Sequence, residues 1–127
     1  MIESITAIGV DICDIKRIEA LIFRHQERIL QRLYTTEEIA YCSGIKPKFE
    51  SYAARFAAKE ALLKALGTGL RDGIQWKDIE ILNDSLGKPY FRFYNKAREL
   101  IGNKRVLVSL SHTAGNAIAF VVIQGVS

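Results

Sequence analysis

Proline and glycine are scarce, two and nine of 127 residues, and no part of the chain repeats another or forms a low-complexity linker. That argues against a repeat array or domains strung on flexible tethers, and the expectation is one domain spanning residues 1–127 with a real core. Cysteine is nearly absent. Cys13 and Cys42 are too few for a disulfide framework or a Cys-ligated zinc site, and read as reduced thiols of a cytoplasmic protein. No run approaches the roughly 18 apolar residues that span a bilayer, so no membrane partner is expected. The start, MIESITAIGVD, lacks a basic n-region and carries Glu3, so no signal peptide is expected either. There is no Lys/Arg tract and no row of aromatics beside basic residues, which removes the usual marks of a nucleic-acid surface.

What is present is an ordinary globular balance with a net charge of +4. Such a surface suits anionic partners: nucleotide, phosphate or an acidic protein. Alternation from Ile5 to Ile12 predicts a strand with Ile8, Val10 and Ile12 on one face and Ala7, Gly9 and Asp11 on the other. Asp14 is placed to cap a helix running to about Tyr34, with Ile15, Ile18, Ile22 and Ile29 inward. Thr35-Thr36-Glu37-Glu38 has the form of a capping box for a short helix ending near Cys42, and residues 43–48 read as a loop. A long helix follows from Phe49 to Leu66, with Gly67 suited to its C-terminal cap. Strands are expected at Ile79–Leu82, Tyr90–Tyr94, Val106–Ser111 and Ala117–Ile123, with a short helix at Asn95–Ile101. The last two strands are the most apolar and are expected to be central. The fold class is α+β: a small, mostly antiparallel sheet packed on one long buried helix.

The long helix poses the functional question. Phe49, Tyr52, Ala53, Phe56 and Leu63 form an apolar arc, Ala54, Ala58, Ala61 and Ala65 line the opposite side, and Lys59 and Glu60 fall inside the arc. Glu60 and Lys64 suit an i,i+4 ion pair with Lys59 snorkelling to solvent. Alternatively, Glu60 holds a metal and the lysines hold phosphate. Asp11, alone at the end of an apolar strand beside Gly9, reads as a turn residue or as a second carboxylate for a hard cation such as Mg²⁺, which completes its shell with phosphate oxygens. His112 ends an apolar strand at a turn, as a structural residue or as one that bonds phosphate or moves a proton. Arg17, Leu21, Arg24 and Arg28 form one stripe, a solvated face or a docking surface for an acidic partner helix.

The segments GVDI (Gly9–Ile12), RFAAKEALLKALGTG (Arg55–Gly69), GKPY (Gly87–Tyr90) and SLSHT (Ser109–Thr113) resemble, in order and spacing, the holo-[acyl-carrier-protein] synthases, the short bacterial-type 4'-phosphopantetheinyl transferases. The resemblance covers essentially the whole chain. It implies transfer of 4'-phosphopantetheine from coenzyme A to a serine of apo-acyl carrier protein, with release of adenosine 3',5'-bisphosphate. It implies Asp11 and Glu60 as Mg²⁺ ligands, and Glu60, Lys59 and His112 as the catalytic set, with Glu60 the first choice of base. It implies Arg55, Lys59, Lys64, Gly67, Thr68, Gly69, Lys88, Pro89 and His112 around coenzyme A. It further implies a homotrimer with sites between protomers and a first helix that docks the acidic carrier protein through Arg17, Leu21, Arg24 and Arg28. A basic module that binds nucleotide or RNA without catalysis is the alternative; it leaves Asp11 and Glu60 unexplained, because carboxylates repel phosphate unless a cation lies between them.

Overall fold

The computed structural model describes residues 3–45, 48–71 and 73–126. Strand β1 (Glu3–Asp14) leads into helices α1 (Ile15–His25), α2 (Glu27–Leu33), α3 (Thr36–Gly44) and α4 (Lys48–Leu66). A 3₁₀ turn (Trp76–Asp78), β2 (Ile79–Asn83), β3 (Pro89–Phe93), α5 (Asn95–Ile101), β4 (Arg105–His112) and β5 (Asn116–Val126) complete the chain. All strand pairs are antiparallel, in a three-stranded sheet of order β1-β5-β4 and a separate β2-β3 hairpin. The expected α+β class holds, with the strands divided between two sheets. Only β5 is central, and β4 forms an edge. Polar Ser109 and Ser111 stand opposite Phe120 and Ile118 of β5, so one face of β4 is less apolar than the run suggests.

Helix α4 is the spine. Ala53, Ala57, Ala58, Ala61 and Leu62 are fully buried between the sheet and the α1–α3 layer. The small residues let β1 come close. A Cβ added at Gly9 would stand 2.0 Å from the Ala61 carbonyl oxygen, which leaves no room for any side chain there. The inner face of the sheet carries Gly9, Asp11 and Cys13 opposite Val121, Ala119 and Ala117. The outer face carries Ile8, Val10 and Ile12 opposite Val122, Phe120 and Ile118. That outer face is uncovered: Ile8 is 60%, Val10 53%, Ile12 61% and Phe120 43% exposed.

Asp14 caps α1 through the Lys16 amide, and Thr35 and Glu38 form the expected capping box. The long helix expected up to Tyr34 is instead two helices broken at Gln26, which takes φ 47°. Its N–H donates to the Ile22 carbonyl and its carbonyl accepts from the Ile29 and Leu30 amides. These bonds offset the cost of about 1–2 kcal/mol for a left-handed non-glycine residue. In the expected loop, Ser43 and Gly44 belong to α3, Lys48 begins α4, and Lys46 and Pro47 lie outside the described residues.

Candidate active site

The charged residues of α4 have separate destinations. Lys59 turns inward and is 0% exposed. Its ammonium donates to Glu38 Oε1 at 2.7 Å, to the Leu33 carbonyl at 2.6 Å and to the Trp76 carbonyl at 3.2 Å. Burial lowers its pKa, while the Glu38 carboxylate opposes that shift. Glu38 also accepts from the Thr35 and Ile81 amides. Lys59 therefore does not reach the cleft where a phosphate ligand was expected; it sits in a buried ion pair, whose one-sided removal costs about 3–5 kcal/mol.

Glu60 and Lys64 lie on the flank of α4 facing the edge strand β1. Lys64 does not return along the helix to Glu60. It crosses to β1 and donates to Asp11 Oδ1 at 2.8 Å and to the Val10 carbonyl at 3.2 Å. Partial burial and the Asp11 charge raise the Glu60 pKa, opposed by Lys64 and Arg17. The helix ends when the Gly67 amide bonds back to the Leu63 and Lys64 carbonyls, and both Gly67 and Gly69 take left-handed φ, 74° and 63°. Thr68 Oγ1 bonds locally to the Gly69 carbonyl. The resulting open cleft is lined by Glu60, Leu63, Lys64, Gly67, Gly69, Leu70 and Trp76. Two mutually repelling carboxylates beside an exposed ammonium suit a hard cation that fills its shell with water and phosphate oxygens. Among the described residues no group of three or more His, Cys, Asp or Glu could hold a metal on its own.

Arg55 and His112 are on the other side. Arg55 follows α4 nine residues before Lys64, about 180° around the helix and about 14 Å along it. Its guanidinium donates to Ser51 at 3.0 Å and to Asn83 at 2.6 Å and stacks 4.4 Å from the centre of the Tyr41 ring. Buried Arg55 Nε has no partner, and no carboxylate neutralises the group by a direct ion pair among the described residues. His112 Nδ1 faces Glu50 at 3.2 Å. Together with Pro89 and Gly87 of the hairpin turn they line a second cleft, and Lys88 projects from the same turn into solvent. The structure thus gathers Asp11, Glu60, Lys64 and Gly67–Gly69 at one place and Arg55, Pro89 and His112 at another. Of the stripe, Arg17 and Arg24 are exposed on α1, Leu21 is half-buried against the core, and Arg28 lies beyond the Gln26 break on α2.

Sequence reasoning missed Trp76, Leu70, Tyr41, Asn83 and Glu50 as cleft residues. Trp76, the single tryptophan, sits just before a strand and carried a signal that was available; the others look like any surface or turn residue. Glu38 was legible only as a helix cap.

Comparison with known proteins defines the class. The 4'-phosphopantetheinyl transferase superfamily model matches residues 7–120, and the chain belongs to that superfamily. Within it, the chain falls with the holo-[acyl-carrier-protein] synthases. It is 50% identical over 119 residues to the enzyme of that name from Geobacter sp. (strain M21), covering 91% of this chain and 95% of that one. The crystal structure of holo-[acyl-carrier-protein] synthase from Neisseria meningitidis superposes with a TM-score of 0.85 at 37% identity, covering 94% of this chain and 98% of that chain. The Helicobacter pylori synthase, solved in complex with coenzyme A, superposes with a TM-score of 0.80 at 36% identity, covering 91% and 98%.

Proposed function

We propose that this enzyme moves 4'-phosphopantetheine from coenzyme A to a serine hydroxyl of an acidic apo-acyl carrier protein in the cytoplasm, releasing adenosine 3',5'-bisphosphate. The observation that carries the reading is the Asp11–Glu60–Lys64 cluster beside the Gly67–Thr68–Gly69 turn, in a chain of this family. In the reaction a bond forms from the serine oxygen to the β-phosphorus, and the pyrophosphate P–O bond breaks. Lys64, more than half exposed, exchanges Asp11 for a phosphate oxygen. Glu60 takes the serine proton directly or through water. Mg²⁺ held by Asp11 and Glu60 supplies Lewis-acid stabilisation of the leaving phosphate. Arg55, Lys88, Pro89 and His112 hold the nucleotide end, for which the uncompensated guanidinium of Arg55 is suited.

One helix cannot turn opposite flanks toward one ligand. The two clusters therefore meet when the first cleft of one copy joins the second cleft of another, and the uncovered apolar sheet face supports a homotrimer built through it. Val10→Asp should dissociate the assembly, read as monomer mass by light scattering, with loss of transfer. The stripe Arg17, Leu21, Arg24 and Arg28 is the docking face for the carrier protein. Charge reversal at Arg17 and Arg28 should weaken carrier-protein binding about tenfold or more by calorimetry, with coenzyme A affinity unchanged; equal carrier-protein affinity removes this assignment. The transfer itself is tested by incubating the enzyme with coenzyme A, Mg²⁺ and apo-carrier protein. The carrier should gain the mass of one phosphopantetheine, and no gain with an intact carrier refutes the reading.

A further inference from the structure

We infer that Lys59 is a positioning residue, which sets the wall of the Glu60 cleft by tying Glu38 and the Trp76 carbonyl to α4. The inference rests on the transferase reading. An ammonium has three N–H donors, and here the Leu33 carbonyl, Glu38 Oε1 and the Trp76 carbonyl take all three. The group is wholly enclosed, with the Tyr34 ring centre 5.2 Å away. A phosphate at this position needs one of those bonds broken and a path opened through the core.

What the ammonium does instead follows from its partners. Leu33 ends α2, Glu38 opens α3, and Trp76 opens the 3₁₀ turn. Glu38 Oε2 adds the Ile81 amide of β2 at 3.0 Å. The ion pair thus fastens four segments to α4 at the residue immediately before Glu60. Of the four, the Trp76 segment reaches the cleft: Trp76 lines the wall with Glu60 and Lys64, and its ring packs 5.1 Å from Phe56, one turn before Glu60. The distance from the Trp76 wall to the Glu60 carboxylate is set by the Lys59–Trp76 bond on one side and the Phe56 contact on the other. Lys59 thereby shapes the space for the transferred group without touching it.

Lys59→Met and Glu38→Gln, separately and together, test this. Each single change leaves a polar partner buried and unmatched, so each should lower Tm and the transfer rate. Trp76 is the sole tryptophan, so its emission reads the wall directly and should shift to the red in Lys59→Met, measured well below Tm. The double variant still lacks the bond to the Trp76 carbonyl, so it should regain part of the lost Tm but keep the red-shifted Trp76 emission and the slowed transfer of Lys59→Met; parent-like emission and transfer in the double variant overturn the inference. A double variant with the parent's Tm and emission but transfer slowed about 1,000-fold or more overturns the inference, since that is the size of a lost contact to developing charge. A second measurement needs no variant. In the ¹⁵N-lysine-labelled parent, the buried Lys59 ammonium resonance should stay in place when coenzyme A and Mg²⁺ are added, while Lys64 moves. A Lys59 shift as large as that of Lys64 overturns the inference. Holo-carrier formation by the same sample reports on the transferase reading separately.

Discussion

Asp11→Ala and Glu60→Ala should each slow holo-carrier formation by about 1,000-fold or more while leaving the protein folded. Both side chains are partly buried beside the edge strand β1, and neither belongs to the buried core. Among the described residues the Asp11 carboxylate is paired only with the ammonium of Lys64, which is more than half exposed. Removing Glu60 relieves repulsion, because burial and the Asp11 charge hold its pKa above the ordinary value of 4.5. The sign of the stability effect follows. An acid whose pKa is higher in the folded than in the unfolded state binds more protons when folded, so this group's contribution to metal-free stability falls as pH rises from about 4.5 through its raised value. That component of the Tm–pH curve should vanish in Glu60→Gln. The check is the carrier mass-shift rate beside thermal melts with and without Mg²⁺. Parent-like transfer in either alanine variant removes the metal assignment.

Gly9→Ala should cost about 3 kcal/mol and lower Tm by about 10 °C, with a large loss of transfer besides. The new Cβ would meet the Ala61 carbonyl oxygen at 2.0 Å, and the Ala61 carbonyl carbon and Ala65 amide nitrogen at 3.0 Å. All three are helix backbone atoms with their own bonds to keep, so β1 must lift away from α4. Asp11 lies two residues further along the same strand and faces the same side. The lift therefore separates Asp11 from Glu60 and Lys64. Chemical denaturation and the transfer assay read the two effects together. A Gly9→Ala protein of unchanged stability contradicts the packing described for this crossing.

Much of this was legible in the chain because it rests on local chemistry. Asp14, Thr35 with Glu38, and Gly67 mark helix ends by bonding to neighbouring backbone, so short-range pattern suffices. The small alanines of α4 suit the close approach of another backbone, but that Gly9 of β1 is its partner is visible only in the folded chain. The break at Gln26 was not legible: no glycine or proline marks it, and capping bonds hold a conformation the residue does not prefer. Lys59 was misjudged for a different reason. Its partner Glu38 lies 21 residues away, and only the folded chain brings the buried charge to its counter-charge. The separation of Arg55 from Lys64 was available from helix geometry, since nine residues turn the helix about 180°. What no spacing conveys is that His112, read with Asp11 as one site, stands on the far flank against Glu50.

The central claim is that the Asp11–Glu60–Lys64 cluster of one copy and the Arg55–His112 cluster of another make one active site. Subunit complementation tests it most directly. Glu60→Ala and His112→Ala chains, each crippled alone, are mixed in equal amounts under conditions that exchange subunits. At each interface the chance of an intact Glu60 half is one half, and so is the chance of an intact His112 half. About a quarter of the sites should then be whole, and transfer should rise to about a quarter of the parent's rate. If both clusters serve sites within their own chain, mixing restores nothing, and a rate no higher than the average of the two variants contradicts the account.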